Sequence, residues 1–271
     1  MDAHLHCSEL PDDALLTYAK FNNLEYTLPE LLRLMQENDV EMGLLLSPPL
    51  RNGEPAPNER ILELCQRSKD VLYPVLTVEP DKRKVEEALE LAKANNGSVK
   101  AFKIRLGYVP VFADDPVFSP IYNYAEEEDL PVMFHTGDTA TSTGSLKHSH
   151  PLTIDPLANS RPDLKIVICH FGNPWIADVG ELLYKHPQVF ADISGLVAGD
   201  GAKYAEKYLQ SLATKLSDAI FYAGGADKVI FGTDYPVETY SAGVTLLKSL
   251  KIDDEDRSKI SRDNAMKVFF W

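Results

Sequence analysis

Eight short apolar runs alternate with stretches of helical periodicity along 271 residues, and this alternation predicts an α/β fold of the (β/α)8 TIM-barrel class. The length suits one large barrel. No linker, low-complexity tract or internal repeat divides the chain, so residues 1–271 are expected to form a single domain.

The strand runs are 2–6, 40–47, 71–78, 99–106, 131–136, 164–170, 188–194 and 228–234. Helical patterns lie near 28–38, 58–69, 82–96, 117–128, 155–161, 174–186, 202–223 and 239–250, with a last helix near 255–268. Thr27-Leu28-Pro29-Glu30 reads as a capping box with proline in the first turn. Asp81 caps a helix whose Val85, Ala88, Leu89 and Ala92 share one face, and Asn95-Asn96-Gly97 stops it. The first strand is very short, so the barrel floor is either open there or plugged by a late segment. Phe269-Phe270-Trp271 is the candidate. The longest loop, Gly137 to Thr153, follows the fifth strand. It therefore lies on the face where barrels of this class place their chemistry, as a cover for a substrate or as a plain polar loop.

Composition narrows the function. Hydrophobic residues make up 44%, enough for a sizeable core, and the net charge of −14 argues against nucleic-acid and anionic-membrane partners. Cys7, Cys65 and Cys169 show no paired spacing, as in a reducing compartment. No run is long and apolar enough to span a bilayer, and the first residues do not read as a signal peptide. A cytoplasmic protein with a small-molecule substrate is expected.

The chemistry sits at the ends of the apolar runs. In Asp2-Ala3-His4-Leu5-His6 the two histidines are two residues apart, so in a strand they point the same way. His135 ends the fifth run, His170 the sixth and Asp234 the eighth. Imidazoles and a carboxylate converging on one concave spot suit a catalytic divalent metal. In the fourth run Phe102, Ile104 and Leu106 share an outer face, while Lys103 and Arg105 point into the barrel. Two buried cations need partners: an anionic substrate, ligand carboxylates, modification of the lysine, or an internal acid such as Asp192. Asp192 and Ser194 share a face and are placed to orient a ligand histidine. His148 and His150 are expected to be exposed, and His186 to serve a helix end.

With Val132-Met133-Phe134-His135-Thr136-Gly137, Ile166-Val167-Ile168-Cys169-His170-Phe171-Gly172, Phe231-Gly232-Thr233-Asp234-Tyr235-Pro236 and Asn264-Ala265, the chain resembles the amidohydrolase-related branch of the amidohydrolase superfamily. That branch holds TIM-barrel, metal-dependent hydrolases and decarboxylases. The resemblance implies that His4, His6, His135 and Asp234 are metal ligands and that Asp234 also accepts a proton. It implies that His170 is an acid/base group in single-metal members and a ligand in two-metal ones. It also raises a carboxylated Lys103 bridging two metals. One ion is favoured over two, with zinc first and manganese, iron or cobalt admissible, and a homodimer is the implied assembly.

The leading expectation is therefore a hydrolase. Metal-activated water would lose its proton to Asp234 and attack an amide, ester or lactone carbonyl, with Arg105 and Lys103 holding a substrate carboxylate. The alternative is non-oxidative decarboxylation of an aromatic or unsaturated acid at the same site. A TatD-type deoxyribonuclease fits poorly, because its fourth strand carries a glutamate where this chain has Lys103 and Arg105. A non-catalytic binding barrel would keep the fold and lose turnover.

Overall fold

The computed structural model describes residues 1–197 and 205–270. Eight parallel strands stand in chain order: β1 (Asp2–His6), β2 (Gly43–Leu46), β3 (Leu72–Thr77), β4 (Ala101–Ile104), β5 (Val132–Phe134), β6 (Ile166–Ile168), β7 (Val189–Asp192) and β8 (Val229–Ile230). The seam between β8 and β1 is closed by backbone hydrogen bonds from Ala3 to Phe231 (3.0 Å), Asp234 to His4 (2.8 Å) and His6 to Tyr235 (2.8 Å). A barrel so closed has no free edge. Among the described residues, no helix is long and apolar enough to cross a membrane.

Alternation along the strands separates two apolar layers. Phe102, Ile104 and Leu106 pack outward with helix residues such as Val85, Ala88 and Ile121. Leu44, Leu46, Val75, Ala101, Met133, Val167 and Ile230 fill the interior. In β1 the register slips: Asp2 pairs with Gly43 but Leu5 with Leu45, so three steps on β1 match two on β2. The extra residue lets Ala3 join the interior layer while His4 also reaches inward, to Asp192.

The floor is plugged from the C-terminus. Ala265, Val268 and Phe269, on the helix Asn264–Phe269, pack into the interior layer with Met1 and Ala3. Asn264 Nδ2 ties that helix to the barrel by donating to the carbonyls of Ala226 and Val229, both at 2.7 Å. The plug is thus deeper than the expected aromatic tail. Phe270 lies edge-on to Tyr73, with ring centroids 4.9 Å apart, and Trp271 lies outside the described residues.

The helices follow the expected order with local differences. Thr27 Oγ1 caps Leu28–Glu37 by accepting from the Glu30 N–H at 3.4 Å. The Glu30 side chain pairs with Arg33, so only half of the capping box forms. Asp81 caps Lys82–Ala94 as expected. A short helix, Leu16–Phe21, was not anticipated. The helix expected at 202–223 is described from Ala205 to Tyr222, and its first three residues lie outside the described ones.

The largest departure concerns the ends of runs six and eight. These were read as strand through His170 and Asp234, but the ladders stop at Ile168 and Ile230. His170 (φ 59°), Phe171 (φ 42°) and Asp234 (φ 58°) all adopt left-handed backbone, which a strand does not contain.

The plug yields a stability prediction. Phe269→Ala should cost about 3–5 kcal/mol, seen as a clear drop in melting temperature, whereas Tyr184→Ala, at a 65% exposed position, should leave it nearly unchanged. Equal melting temperatures for the two variants would remove Phe269 from the core.

Candidate metal centre

The mouth of the barrel is assembled from buried polar groups that fix one another. Asp2, fully buried, accepts from the His4 N–H (3.1 Å), the Thr233 N–H (3.1 Å) and the Thr233 hydroxyl (2.7 Å), so it buckles β1 to the segment after β8. Burial pushes its pKa up to about 6, against the pull of those bonds.

His4 and His6 are each held by Nδ1. His4 Nδ1 lies 3.0 Å from Asp192 Oδ2 and 3.0 Å from Ser194 Oγ. His6 Nδ1 lies 3.0 Å from the Leu46 carbonyl oxygen. A carbonyl only accepts, and Asp192 is an anion, so both Nδ1 atoms carry the proton and both Nε2 atoms present lone pairs. Those lone pairs face Asp234 Oδ1, at 3.5 Å from His4 and 3.0 Å from His6. Burial, with Lys103 nearby, lowers the His4 pKa to about 4, so the ring is neutral at pH 7.

This convergence is the test of fit for a metal. Three electron-pair donors, two imidazole nitrogens and one carboxylate oxygen, lie within 4.8 Å of one another. Without a shared cation they would repel, and a divalent ion of borderline softness matches the set.

A second cluster of His4, His170 and Asp192 also lies within 4.8 Å. Its acceptors are already filled. Asp192 Oδ1 accepts from the His170 N–H (2.8 Å), the Ser194 hydroxyl (2.6 Å) and the Ser194 N–H (3.1 Å), while Oδ2 takes His4. Asp192 and Ser194 thus occupy the orienting positions expected of them. The His170 ring lies tilted with its centroid 4.9 Å from that of His4, and its Nδ1 donates to the Ser194 carbonyl at 3.1 Å.

His135 stands apart from the set that the sequence assembled. It is buried beside the site, its ring 4.9 Å from His170 and 4.7 Å from Tyr108. Its Nε2 is engaged by the Asp138 carbonyl at 2.9 Å, because Gly137 (φ 91°) folds the loop back over the ring. Among the described residues, no three-residue ligand cluster includes His135.

The two inward cations have internal partners. Lys103 Nζ lies 2.8 Å from Cys169 Sγ. Arg105 gives Nε (3.2 Å) and Nη2 (3.0 Å) to Glu79 Oε1, and Nη1 to the Gly53 carbonyl (3.1 Å). Glu79, just after β3, is thus the internal acid for Arg105, while Asp192, the suggested partner, lies near enough to Lys103 to feel its charge.

Sequence reasoning passed over Gly195. With φ 65°, it lies so close to the site that a Cβ would come 2.7 Å from Asp234 Oδ2 and 3.2 Å from His170 Nδ1. A Ser-Gly step after a strand is its only signal in the sequence. Loop 137–153 is stapled: Gly137 and Ser149 exchange hydrogen bonds, and the Ser145 N–H reaches the Gly107 carbonyl. His148 and His150 are half-buried in it, against Phe112 and Trp175, where exposure had been expected. His186 pairs with Asp155 at 2.8 Å and is structural, as expected.

Comparison with known proteins corrects the reaction. A γ-resorcylate decarboxylase of Rhodococcus jostii (strain RHA1) is 22% identical over 283 residues, covering 88% of this chain and 86% of that protein. Three further curated relatives are γ-resorcylate decarboxylases as well. Among solved structures, a 2,6-dihydroxybenzoate decarboxylase from Rhizobium superposes with a TM-score of 0.70 at 19% identity, covering 99% of each chain. A dihydroxybenzoic acid decarboxylase from Polaromonas sp. JS666, with bound manganese and 2-nitroresorcinol, gives 0.69 at 18% identity, covering 99% and 97%. Hydrolysis by metal-activated water, the leading expectation from sequence, is overturned by these relatives in favour of its alternative. The amidohydrolase family model matches residues 1–271, and the chain belongs to that family.

Proposed function

We propose that this protein is a divalent-metal-dependent, non-oxidative decarboxylase of a hydroxylated benzoic acid. The observation that carries the reading is the convergence of His4 Nε2, His6 Nε2 and Asp234 Oδ1 beside His170, in a chain that resembles four decarboxylases over 88% of its length. His4, His6 and Asp234 would hold one ion, since the acceptors of the neighbouring cluster are satisfied by protons. Manganese is the first ion to load, because it is bound in the Polaromonas structure. Zinc, which the sequence favoured, comes second. When bound, such an ion supplies positive charge for the substrate's carboxylate and a neighbouring phenolic oxygen.

The reaction consumes one proton: the aromatic carboxylate and a proton become the arene and carbon dioxide. Asp234 is a poor source of that proton, since its carboxylate is one of the three donors that would hold the ion. His170 is better placed. Ser194 pins its Nδ1, which leaves Nε2 as the atom that delivers the proton to the ring carbon. His135 meets the His170 ring edge-on, Tyr108 lies tilted against His135, and the rings offer an aromatic wall for a planar substrate. No oxidant or organic cofactor is required.

Two measurements test the reading. Manganese-loaded protein offered 2,6-dihydroxybenzoate and other ortho-hydroxybenzoates should release carbon dioxide in step with loss of the acid, and stripping the metal with a chelator should stop it. A loaded protein that releases none from the whole panel refutes the proposal. His170→Asn should lower kcat by about 10²–10⁴-fold with metal content unchanged, while Asp234→Asn should lose both metal and turnover. Full turnover in His170→Asn would take the proton donor elsewhere.

A further inference from the structure

Glu238 is a buried acid that the proposed chemistry does not use. It is 1% exposed and lies four residues beyond Asp234, just before the Thr239 cap of the helix Tyr240–Ser249. Its Oε2 accepts from the Val197 N–H at 3.0 Å, and the Leu196 N–H also bonds to the carboxyl. Among the described residues, its Oε1 has no hydrogen-bond partner. A Cβ on Gly243 would come within 2.9 Å of that atom, so only a glycine leaves room for it. An acceptor buried without a partner is unfavourable. Burial, with Asp234 nearby, pushes the pKa well above its ordinary value. What offsets this is the segment that Oε2 holds.

That segment, residues 194–197, crosses the site after β7. Its Ser194 carbonyl and hydroxyl hold the His170 ring, and its Gly195 lies against Asp234 Oδ2 and His170 Nδ1. Glu238 belongs to the loop that carries Asp234, and the Val237 N–H bonds back to the Asp234 carbonyl at 2.9 Å. One side chain therefore joins the two segments that place the two reactive groups. We propose that Glu238 is a positioning residue, a clasp whose carboxyl fastens the segment after β7 to the loop after β8 and so sets the spacing between His170 and Asp234.

Only the turnover arm of the test rests on the decarboxylase reading. Glu238→Gln keeps an oxygen for the two amides, and Glu238→Ala does not. The readouts on the full chain are hydrogen exchange at the Leu196 and Val197 amides, manganese affinity by titration, and carbon dioxide release. In Glu238→Ala the two amides should lose protection, and manganese affinity and kcat should each fall about 10- to 100-fold. Glu238→Gln should restore protection and affinity. Unchanged amide protection in Glu238→Ala, or a loss in Glu238→Gln as large as in Glu238→Ala, would overturn the clasp. If the wild type released no carbon dioxide, the decarboxylase reading alone would fall, and exchange and manganese affinity would still decide the role of Glu238.

Discussion

The barrel mouth depends on one buried anion, Asp192. An isolated carboxylate in a protein interior is several kcal/mol unfavourable, on the order of the whole stability of a domain. Here four hydrogen bonds and the nearby Lys103 offset that penalty. Burial alone would raise the Asp192 pKa, but His4, His170 and Lys103 reverse the shift and keep it ionised. Being ionised, it fixes the proton of His4 on Nδ1 and turns the Nε2 lone pair toward Asp234. The same carboxylate catches the backbone N–H of His170 as the chain leaves β6. One side chain thus sets a candidate metal ligand and the candidate acid together.

Strain marks the same place. His170 and Asp234 are both non-glycine residues in left-handed backbone, a conformation that costs on the order of 1–3 kcal/mol each. The turns lift their side chains off the barrel wall and aim them at the axis. Gly195 provides the space between them, since any side chain there would meet Asp234 Oδ2. Asp192 through the His170 N–H, and the His4 carbonyl through the Asp234 N–H, hold these turns in place. The strained residues are therefore the ones with the most external support.

Much of this was legible in the sequence, for physical reasons. Alternation in Ala101–Leu106 separated the outward apolar face from the inward cations, because a strand has a period of two. The His-x-His pair and the Asp192–Ser194 pair were readable on the same ground. The expected helix order held because apolar spacing and caps are local signals. The left-handed turns at His170 and Asp234 were not legible, since both residues end apolar runs that look like continuing strand. Glu79, Gly195 and Glu238 act through partners far away in the chain, and no local pattern announces such contacts. For His135, nothing local showed that Gly137 would turn the Asp138 carbonyl onto its Nε2. The reaction was the hardest to read: hydrolysis and decarboxylation draw on the same donor set and differ in which group handles the proton.

The account rests on a shared ion at His4, His6 and Asp234. Anomalous diffraction from crystals of the manganese-loaded protein tests it most directly. The account predicts a single strong peak within about 2.0–2.3 Å of His4 Nε2, His6 Nε2 and an Asp234 carboxylate oxygen, with Asp192 still on His4 Nδ1. A peak elsewhere, or density that leaves these three donors uncoordinated, would contradict it.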